Sequence, residues 1–249
     1  MSKFLKKILS VFLVVLIVTL TFFPVKSSFA ASNPSFDEKI EFLLELQPGL
    51  TEEELLESIT LGAEATGNTE EEFIDLALQE IKTIISGENT IGIQPYGGSA
   101  GTLYLSPATN KGDIFYTPSA TMGIDHGHVG IYYTTTQIVE SVPTTGVRKI
   151  SYNGRYVESG TVMQTVSTTQ AKRNAAADWA NSRVGIDGYS YNFATNRTTS
   201  HEGAKNCSKL VWSAYMLKAS IDIDKNGGTG VYPLDIRDSS LTSTYKTIK

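Results

Sequence analysis

The sequence predicts an α+β protein in which an antiparallel sheet packs against helices, preceded by a small acidic helical segment. Apolar residues recur at helical spacing within residues 37–88, whereas short β-rich runs bounded by turn residues occupy most of residues 112–166. The charge is also uneven. Residues 37–88 hold 15 Asp or Glu against two Lys, a net charge of −13, while residues 91–249 carry a net charge of +4. The two parts are therefore expected to attract each other.

Residues 1–30 are predicted to form a signal peptide. Three lysines lie within Met1–Lys7, an uncharged apolar run follows in Ile8–Phe23, and Ser28–Ala30 offers small residues at the positions that a signal peptidase reads. The apolar run ends at Pro24, short of the roughly 20 residues that cross a bilayer. We expect a secreted or cell-wall associated protein, with anchoring to the membrane by an uncleaved signal as the alternative.

Residues 31–95 are predicted to be the acidic helical segment. Apolar positions recur at helical spacing in residues 37–47, and Pro48-Gly49 ends that run. Two capping boxes then open two further helices. They are Thr51 with Glu54, and Thr69 with Glu72.

Residues 96–249 are predicted to be the main domain. Five β-rich runs come first, and a helix follows over Thr169–Asn181. A further helix begins at Cys207, with Asn206 as its N-cap, because apolar residues recur from there at helical spacing. The β-rich runs start at Gly112, His128, Gln137, Val147 and Thr161.

Cys207 is the single cysteine of a chain that is expected to be exported, so it cannot form an internal disulfide. In the first turn of a helix, free backbone N–H groups and the helix dipole stabilise a thiolate and can hold an oxyanion. The alternative is a small apolar residue packed in the core, as most free cysteines are. The position alone leaves both interpretations open.

A thiolate nucleophile needs an imidazole and a group that orients the imidazole. His128 begins a predicted strand, where its side chain is held rigidly, whereas His201 lies in a polar loop and is expected to be solvated. If residues 134–136 form the turn of a hairpin, Glu140 lies diagonally beside His128 on one face. A solvated side chain is the alternative for Glu140.

Two motifs resemble those of NlpC-type cell-wall cysteine peptidases. CSKLVWSAY from Cys207 is similar to their Cys-Ser-Gly-Leu-Val helix, and HVGIYYTTTQIVES from His128 is similar to their His-Val-Gly-Ile-Tyr strand. In these peptidases the third catalytic residue follows the histidine by about twelve positions, which corresponds to Glu140 here. Here the histidine precedes the cysteine, so the chain resembles the circularly permuted branch, the YiiX-like papain-fold hydrolases. The resemblance covers about residues 110–240 and includes shorter matches at residues 112–114, 191–193 and 232–235.

This resemblance implies a permuted papain-like (NlpC-type) domain in which Cys207 is the nucleophile, His128 the general base and Glu140 the residue that orients the imidazole. Tyr191 matches the tyrosine that lines the site near the oxyanion. The implied chemistry needs no metal or organic cofactor.

Two residues depart from the family pattern. Asn206 stands where the motif has Asp, and Lys209 replaces the glycine two positions after the cysteine. A lysine at this point is expected to crowd the groove or to add charge to it.

The implied function is that of a secreted bacterial cysteine hydrolase, a peptidase or amidase that cleaves an amide bond in cell-wall peptide through a thioester. A lipid ester or amide acyl hydrolase, or an acyltransferase of the same fold, is the alternative within this chemistry. A non-catalytic binding module is the alternative outside it. No nucleic-acid partner is expected, because no basic stripe with interleaved aromatic residues is present.

Two groups of residues have types that bind metals. His126, His128 and Cys207 are residue types that bind zinc, but no Cys-x-x-Cys or His-Glu-x-x-His motif supports such a site. The second site would bind calcium, but its twelfth loop position is a proline where a bidentate Glu is required, so a turn is expected. Its ligands would be Asp222, Asp224 and Asn226.

The resemblance leaves the acidic segment unexplained. One hypothesis is an inhibitory or chaperoning pro-segment in intramolecular contact with the Cys207 groove. The other is a solvated helical spacer, since charge runs are usually solvated faces.

Overall fold

The computed structural model describes residues 34–86, 101–121, 124–125 and 127–249. The predicted signal peptide and the predicted domain boundary near residue 95 both lie outside these residues. Within them, no helix is both long enough and apolar enough to cross a bilayer.

Three helices form the acidic segment, as the sequence predicts: α1 (Phe36–Leu46), α2 (Glu52–Thr66) and α3 (Glu70–Ser86). Both predicted capping boxes are present. The Thr51 side chain accepts from the backbone N–H of Glu54, while the Glu54 side chain accepts from the backbone N–H of Thr51. Thr69 and Glu72 repeat this exchange at the start of α3.

The three helices bury one apolar cluster. Leu43 of α1, Leu55 and Ile59 of α2, and Phe73 and Ile74 of α3 are each at most 1% exposed. Residues from the other part of the chain, Ala194 and Tyr232, belong to the same cluster. Residues of the main part of the chain therefore complete the core of the helical segment, and the described residues between Phe36 and Lys249 form one compact unit.

Ten strands follow α3 in the described residues, and six of them make one antiparallel sheet in the order β10-β9-β2-β5-β6-β7. The five predicted strands are all confirmed within this sheet. β10 was not predicted, because its sequence is mostly polar and it is an exposed edge strand. The strands are β1 (Leu103–Tyr104), β2 (Ile114–Thr117), β3 (Ala120–Thr121), β4 (Ile124–Asp125), β5 (His128–Tyr132), β6 (Gln137–Val142), β7 (Gly146–Ser151), β8 (Tyr156–Val157), β9 (Thr161–Val166) and β10 (Thr242–Ile248).

Three more helices lie in this part of the chain: α4 (Gln170–Ser182), α5 (Cys207–Ala219) and α6 (Pro233–Arg237). Thr169 caps α4, since its side chain accepts from the N–H of Lys172, and the predicted cap of α5 is confirmed, since Asn206 accepts from the N–H of Lys209. Both helices belong to the main apolar core together with the central strands. The architecture is therefore α+β, with an antiparallel sheet and packed helices.

Candidate active site

Helix α5 holds Cys207 at its first residue. The Asn206 side-chain oxygen accepts from the backbone N–H of Lys209 at 2.9 Å, which fixes where the helix begins. The first N–H groups of a helix have no acceptor inside the helix and point beyond its N-terminus. Cys207 is 2% exposed, so its sulfur lies in a largely dry environment at the positive end of this helix.

His128 and Glu140 come from adjacent strands of the sheet. In the β5–β6 hairpin Ile131 pairs with Val139, a register that puts Glu140 diagonally beside His128, as the sequence predicts. The Glu140 Oε2 and the His128 Nε2 are 2.7 Å apart. Because Nε2 faces the carboxylate, Nδ1 is the ring nitrogen left for Cys207.

Glu140 is held by more than the histidine. Its side chain is fully buried, and its Oε1 accepts from the Nε and Nη2 of Arg148 at 2.9 and 2.6 Å. The Nη1 of Arg155 lies 3.5 Å from Oε2. Burial alone would raise the pKa of Glu140, but the hydrogen bond and charge of His128, with the charges of Arg155 and Arg148, lower it to about 2. Glu140 is therefore a carboxylate at any physiological pH.

Cys207 and His128 shift each other's pKa. Burial would lower the pKa of His128, but the charge and hydrogen bond of Cys207 and the hydrogen bond and charge of Glu140 raise it to about 9. Burial would raise the pKa of Cys207, but the charge and hydrogen bond of His128 and the N–H groups of Val129 and Ser208 lower it. Both shifts favour the charged forms, a thiolate beside an imidazolium, which is the reactive state of a cysteine nucleophile.

Two neighbouring tyrosines, Tyr189 and Tyr191, lie in the loop between α4 and α5, and Tyr189 is the one linked to Cys207. Burial and the charge of Cys207 raise the pKa of Tyr189 well above the usual range. The ring of Tyr191 meets Tyr189 edge-on, with 5.0 Å between centroids, and packs against Gly49. The resemblance implied Tyr191 as the tyrosine lining the site, and the structure places Tyr189 within electrostatic range of the sulfur.

Lys209 does not crowd or charge the groove, and that expectation was wrong. The residue is 1% exposed, and its ammonium donates to the carbonyls of Arg197 and Thr199, both at 2.9 Å. It also lies 4.6 Å from the centroid of the Trp212 ring. Burial and the charges of Arg197 and Lys205 lower the pKa of Lys209 to about 7. Its function in the fold is to hold the loop that leads to α5.

His201 differs from the solvated loop residue that was expected. Its Nδ1 lies 2.8 Å from the Ser213 hydroxyl, and its ring stacks on Trp212 with 5.3 Å between centroids. Burial and the charges of Lys209 and Lys205 lower the pKa of His201. It therefore packs on α5 away from the pair of Cys207 and His128.

Each of the candidate calcium ligands contacts other residues of the chain. Asp222 accepts from the Nη1 of Arg197 at 2.8 Å and from the Trp212 indole N–H at 2.8 Å, and Asp224 accepts from the Nη2 of Arg197. Asn226 donates to Glu80 at 3.0 Å. This loop is a turn after α5, held by an arginine.

The candidate zinc site depends on His126, which lies outside the described residues. Among those that are described, no group of three or more His, Cys, Asp or Glu side chains is placed to hold a metal ion.

Sequence reasoning missed three residues of the site: Arg148, Arg155 and Tyr189. A signal existed for Arg148, because it lies directly opposite Glu140 in the β6–β7 hairpin and opposite charges are favoured in cross-strand pairs. Arg155 lies beyond a short 3₁₀ turn, Tyr152–Gly154, and its approach to Glu140 depends on tertiary structure.

Fold and site together define an α+β protein with a buried arrangement of cysteine, histidine and glutamate. The chain belongs to the same family as YycO of Bacillus subtilis (strain 168), an uncharacterized protein that is 46% identical over 248 residues, with 98% of this chain and 99% of YycO covered. That likeness assigns the family without an activity. No family model matches the chain.

Among solved structures, the crystal structure of the metalloprotein YiiX from Escherichia coli O157:H7 (DUF1105) is similar to this chain with a TM-score of 0.41 and 15% identity. The match covers 57% of this chain and 98% of YiiX. A likeness of this size carries no argument about either fold or function.

Proposed function

We propose that this protein is a secreted cysteine hydrolase that cleaves an amide bond in cell-wall peptide through a thioester intermediate. The observation that carries the proposal is the continuous contact from the Cys207 sulfur through His128 to the fully buried carboxylate of Glu140. A core cysteine that only fills space needs none of these partners.

The electrostatics support a nucleophile. An unpaired buried thiolate is unfavourable in a dry environment, but here the charge of His128 and the N–H groups of Val129 and Ser208 outweigh the cost of burial. Glu140 in turn stabilises the imidazolium. These contacts favour the charged state that catalysis needs before a substrate binds.

In the first half of the proposed reaction, the Cys207 thiolate attacks the carbonyl carbon and the carbonyl π electrons move to oxygen. The N–H groups at the start of α5 are oriented to hold this oxyanion. His128 then gives its Nδ1 proton to the leaving amine, the C–N bond breaks, and a thioester on Cys207 remains.

In the second half, neutral His128 takes a proton from water at Nδ1 while the water oxygen attacks the thioester. The C–S bond breaks, the carboxylic acid leaves, and the thiolate and imidazolium pair is restored. Glu140 stays deprotonated throughout and accepts from the Nε2–H of His128, so that Nδ1 of His128 faces the reacting atoms.

The test is an activity profile of the purified chain against cell-wall peptides, lipid esters and small acyl-amides. The proposal predicts turnover of peptide amides that is lost in Cys207→Ala and retained in the matched control Ser213→Ala, which changes another buried residue of α5. If only lipid esters are turned over, the proposed substrate is wrong but the proposed thioester mechanism stands. If no acyl compound is turned over, the hydrolase proposal is wrong and a binding module is favoured.

A further inference from the structure

We infer that Gln47, at the end of α1 in the helical segment, is a positioning residue for the nucleophile, an inference that rests on the proposed function. Gln47 lies 160 positions from Cys207 in the sequence. The connection between the two residues consists of hydrogen bonds through the loop that precedes α5.

The first link is a clamp on the backbone of that loop. The Oε1 of Gln47 accepts from the N–H groups of Phe193 and Ala194 at 2.7 and 3.0 Å, and its Nε2 donates to the carbonyl of Leu43 at 3.2 Å. Gln47 is 6% exposed. An amide side chain has an acceptor and a donor at its end, so one buried residue satisfies the loop and its own helix together.

The second link runs from the same loop to the nucleophile helix. The carbonyl of Asn192, the residue before Phe193, accepts from the Nδ2 of Asn206 at 2.7 Å. Asn206 is the N-cap of α5, and its Oδ1 accepts from the N–H of Lys209. The side chain that fixes the start of α5 is therefore itself fixed by a loop that Gln47 holds.

Two further contacts of the helical segment support the same loop. The Ser58 hydroxyl lies 2.6 Å from that of Thr195, and both are buried. Gly49 contacts the ring of Tyr191, and a Cβ added there would lie 2.6 Å from the ring. The segment therefore supports the loop that carries Tyr189 and Tyr191 as well as the start of α5.

These contacts favour a permanent structural part of the active site over a removable inhibitor or a solvated spacer. An inhibitor acts by occupying the groove, and a spacer needs no buried polar contact with the enzyme. Gln47 instead accepts from two backbone N–H groups of the loop next to the nucleophile, one of them buried, and removal of the Gln47 acceptor takes both hydrogen bonds away from the loop.

The experiment measures how the rate of Cys207 alkylation by iodoacetamide depends on pH in the full chain and in three variants. Gln47→Met keeps the volume and removes the acceptor. Gln47→Glu keeps an acceptor for both N–H groups and serves as the conservative rescue. Lys39→Met is the matched control, because Lys39 is buried and pairs with Glu71 and Asp75 within the helical segment.

We expect Gln47→Met to shift the apparent thiol pKa upward and to lower kcat by about 10- to 100-fold with little change in KM, since small displacements of a reacting group have effects of this size. Gln47→Glu is expected to restore most of the wild-type profile. Lys39→Met is expected to lower the melting temperature and leave the thiol profile as in the wild type.

The inference is overturned if Gln47→Met loses thermal stability as Lys39→Met does but keeps the wild-type thiol profile. Should Gln47→Met fail to fold, Gln47→Asn serves instead, because its amide is one methylene too short to reach both N–H groups. An ordinary free-thiol profile in the wild type would refute the proposed function itself, and the positioning inference with it. The two failures are therefore distinguishable.

Discussion

Glu140→Gln tests how the site holds His128, because the change keeps shape and volume but replaces one acceptor oxygen by an NH₂ group. In the wild type Oε2 accepts from His128 while Oε1 accepts twice from Arg148. A carboxamide has a single oxygen, so it cannot accept from both neighbours. One of the two contacts must be lost.

Both orientations of the new amide are unfavourable. If its oxygen faces His128, its NH₂ group meets the donors of Arg148, which is about a third exposed and can turn toward water. If its oxygen faces Arg148, the NH₂ group donates to Nε2 of His128 and moves the ring proton to Nδ1. Neutral His128 then cannot accept a proton from the water that attacks the thioester.

The magnitude follows from the contact that is lost. A hydrogen bond to a charged group contributes about 1.5–3 kcal/mol. At about 1.36 kcal/mol for each tenfold change in rate, kcat/KM is expected to fall about 10- to 160-fold. Loss of the same contact from a buried site lowers the melting temperature by about 3–12 °C, at roughly 2–4 °C per kcal/mol for a domain of this size.

The assay is kcat/KM on the amide that the wild type turns over fastest, with thermal melting followed by circular dichroism. Glu202→Gln is the matched control, because Glu202 is 74% exposed and lies 3.7 Å from Arg183. It is expected to match the wild type. Glu140→Gln with unchanged kcat/KM would refute the orienting role, and a loss equal to that of Cys207→Ala with a collapsed melting temperature would make Glu140 a structural residue.

Four further predictions concern pH, Lys209, metal and the helical segment. Activity, measured as kcat/KM against pH, should fall as pH rises through about 9, where His128 loses its proton. The stability that the raised pKa of His128 contributes should be complete below pH 6.5 and lost as pH rises to about 9, which the melting temperature measures. The stability that Glu140 contributes through its lowered pKa should be present above 4.5 and lost as pH falls toward about 2. Lys209→Met should lower the melting temperature by several degrees and leave the thiol pH profile unchanged, because two partly buried carbonyls lose their donor at a cost of about 1–3 kcal/mol. A large change in the thiol profile would place Lys209 in the groove. Treatment with a chelator should leave Cys207 labelling unchanged, and stoichiometric zinc in the purified chain would instead support the site with His126. A chain that begins near Ser99 should be markedly less stable than one that begins after Ala30, and equal stability would favour the solvated spacer.

Much of the fold could be predicted because its signals are local. The capping boxes at Thr51 and Thr69, the turn of the β5–β6 hairpin and the cap at Asn206 each act within a few residues, so spacing along the sequence identifies them. Strand β10 lacks such a signal, because an exposed edge strand needs no apolar face.

The candidate site could be predicted only as far as its residues lie on well-defined elements. His128 and Glu140 lie on the same face of the β5–β6 hairpin, and the register of the β6–β7 hairpin places Arg148 opposite Glu140. The inward direction of Lys209 could not be predicted, since its acceptors are carbonyls of an irregular loop. The charge imbalance likewise suggested that the two parts attract each other, but it does not identify Gln47, which is neutral and buried.

The measurement that tests the central claim most directly is the pH dependence of Cys207 alkylation in the wild type, His128→Ala and His201→Ala. Cys207 is the single cysteine, so the label reports on one site. The account predicts a wild-type thiol pKa well below the free value of about 8.5. His128→Ala should raise that pKa toward the free value, because only the N–H groups of Val129 and Ser208 then oppose the effect of burial, and His201→Ala should leave it unchanged. An ordinary thiol pKa in the wild type, or a lowered one that survives His128→Ala, would contradict the account.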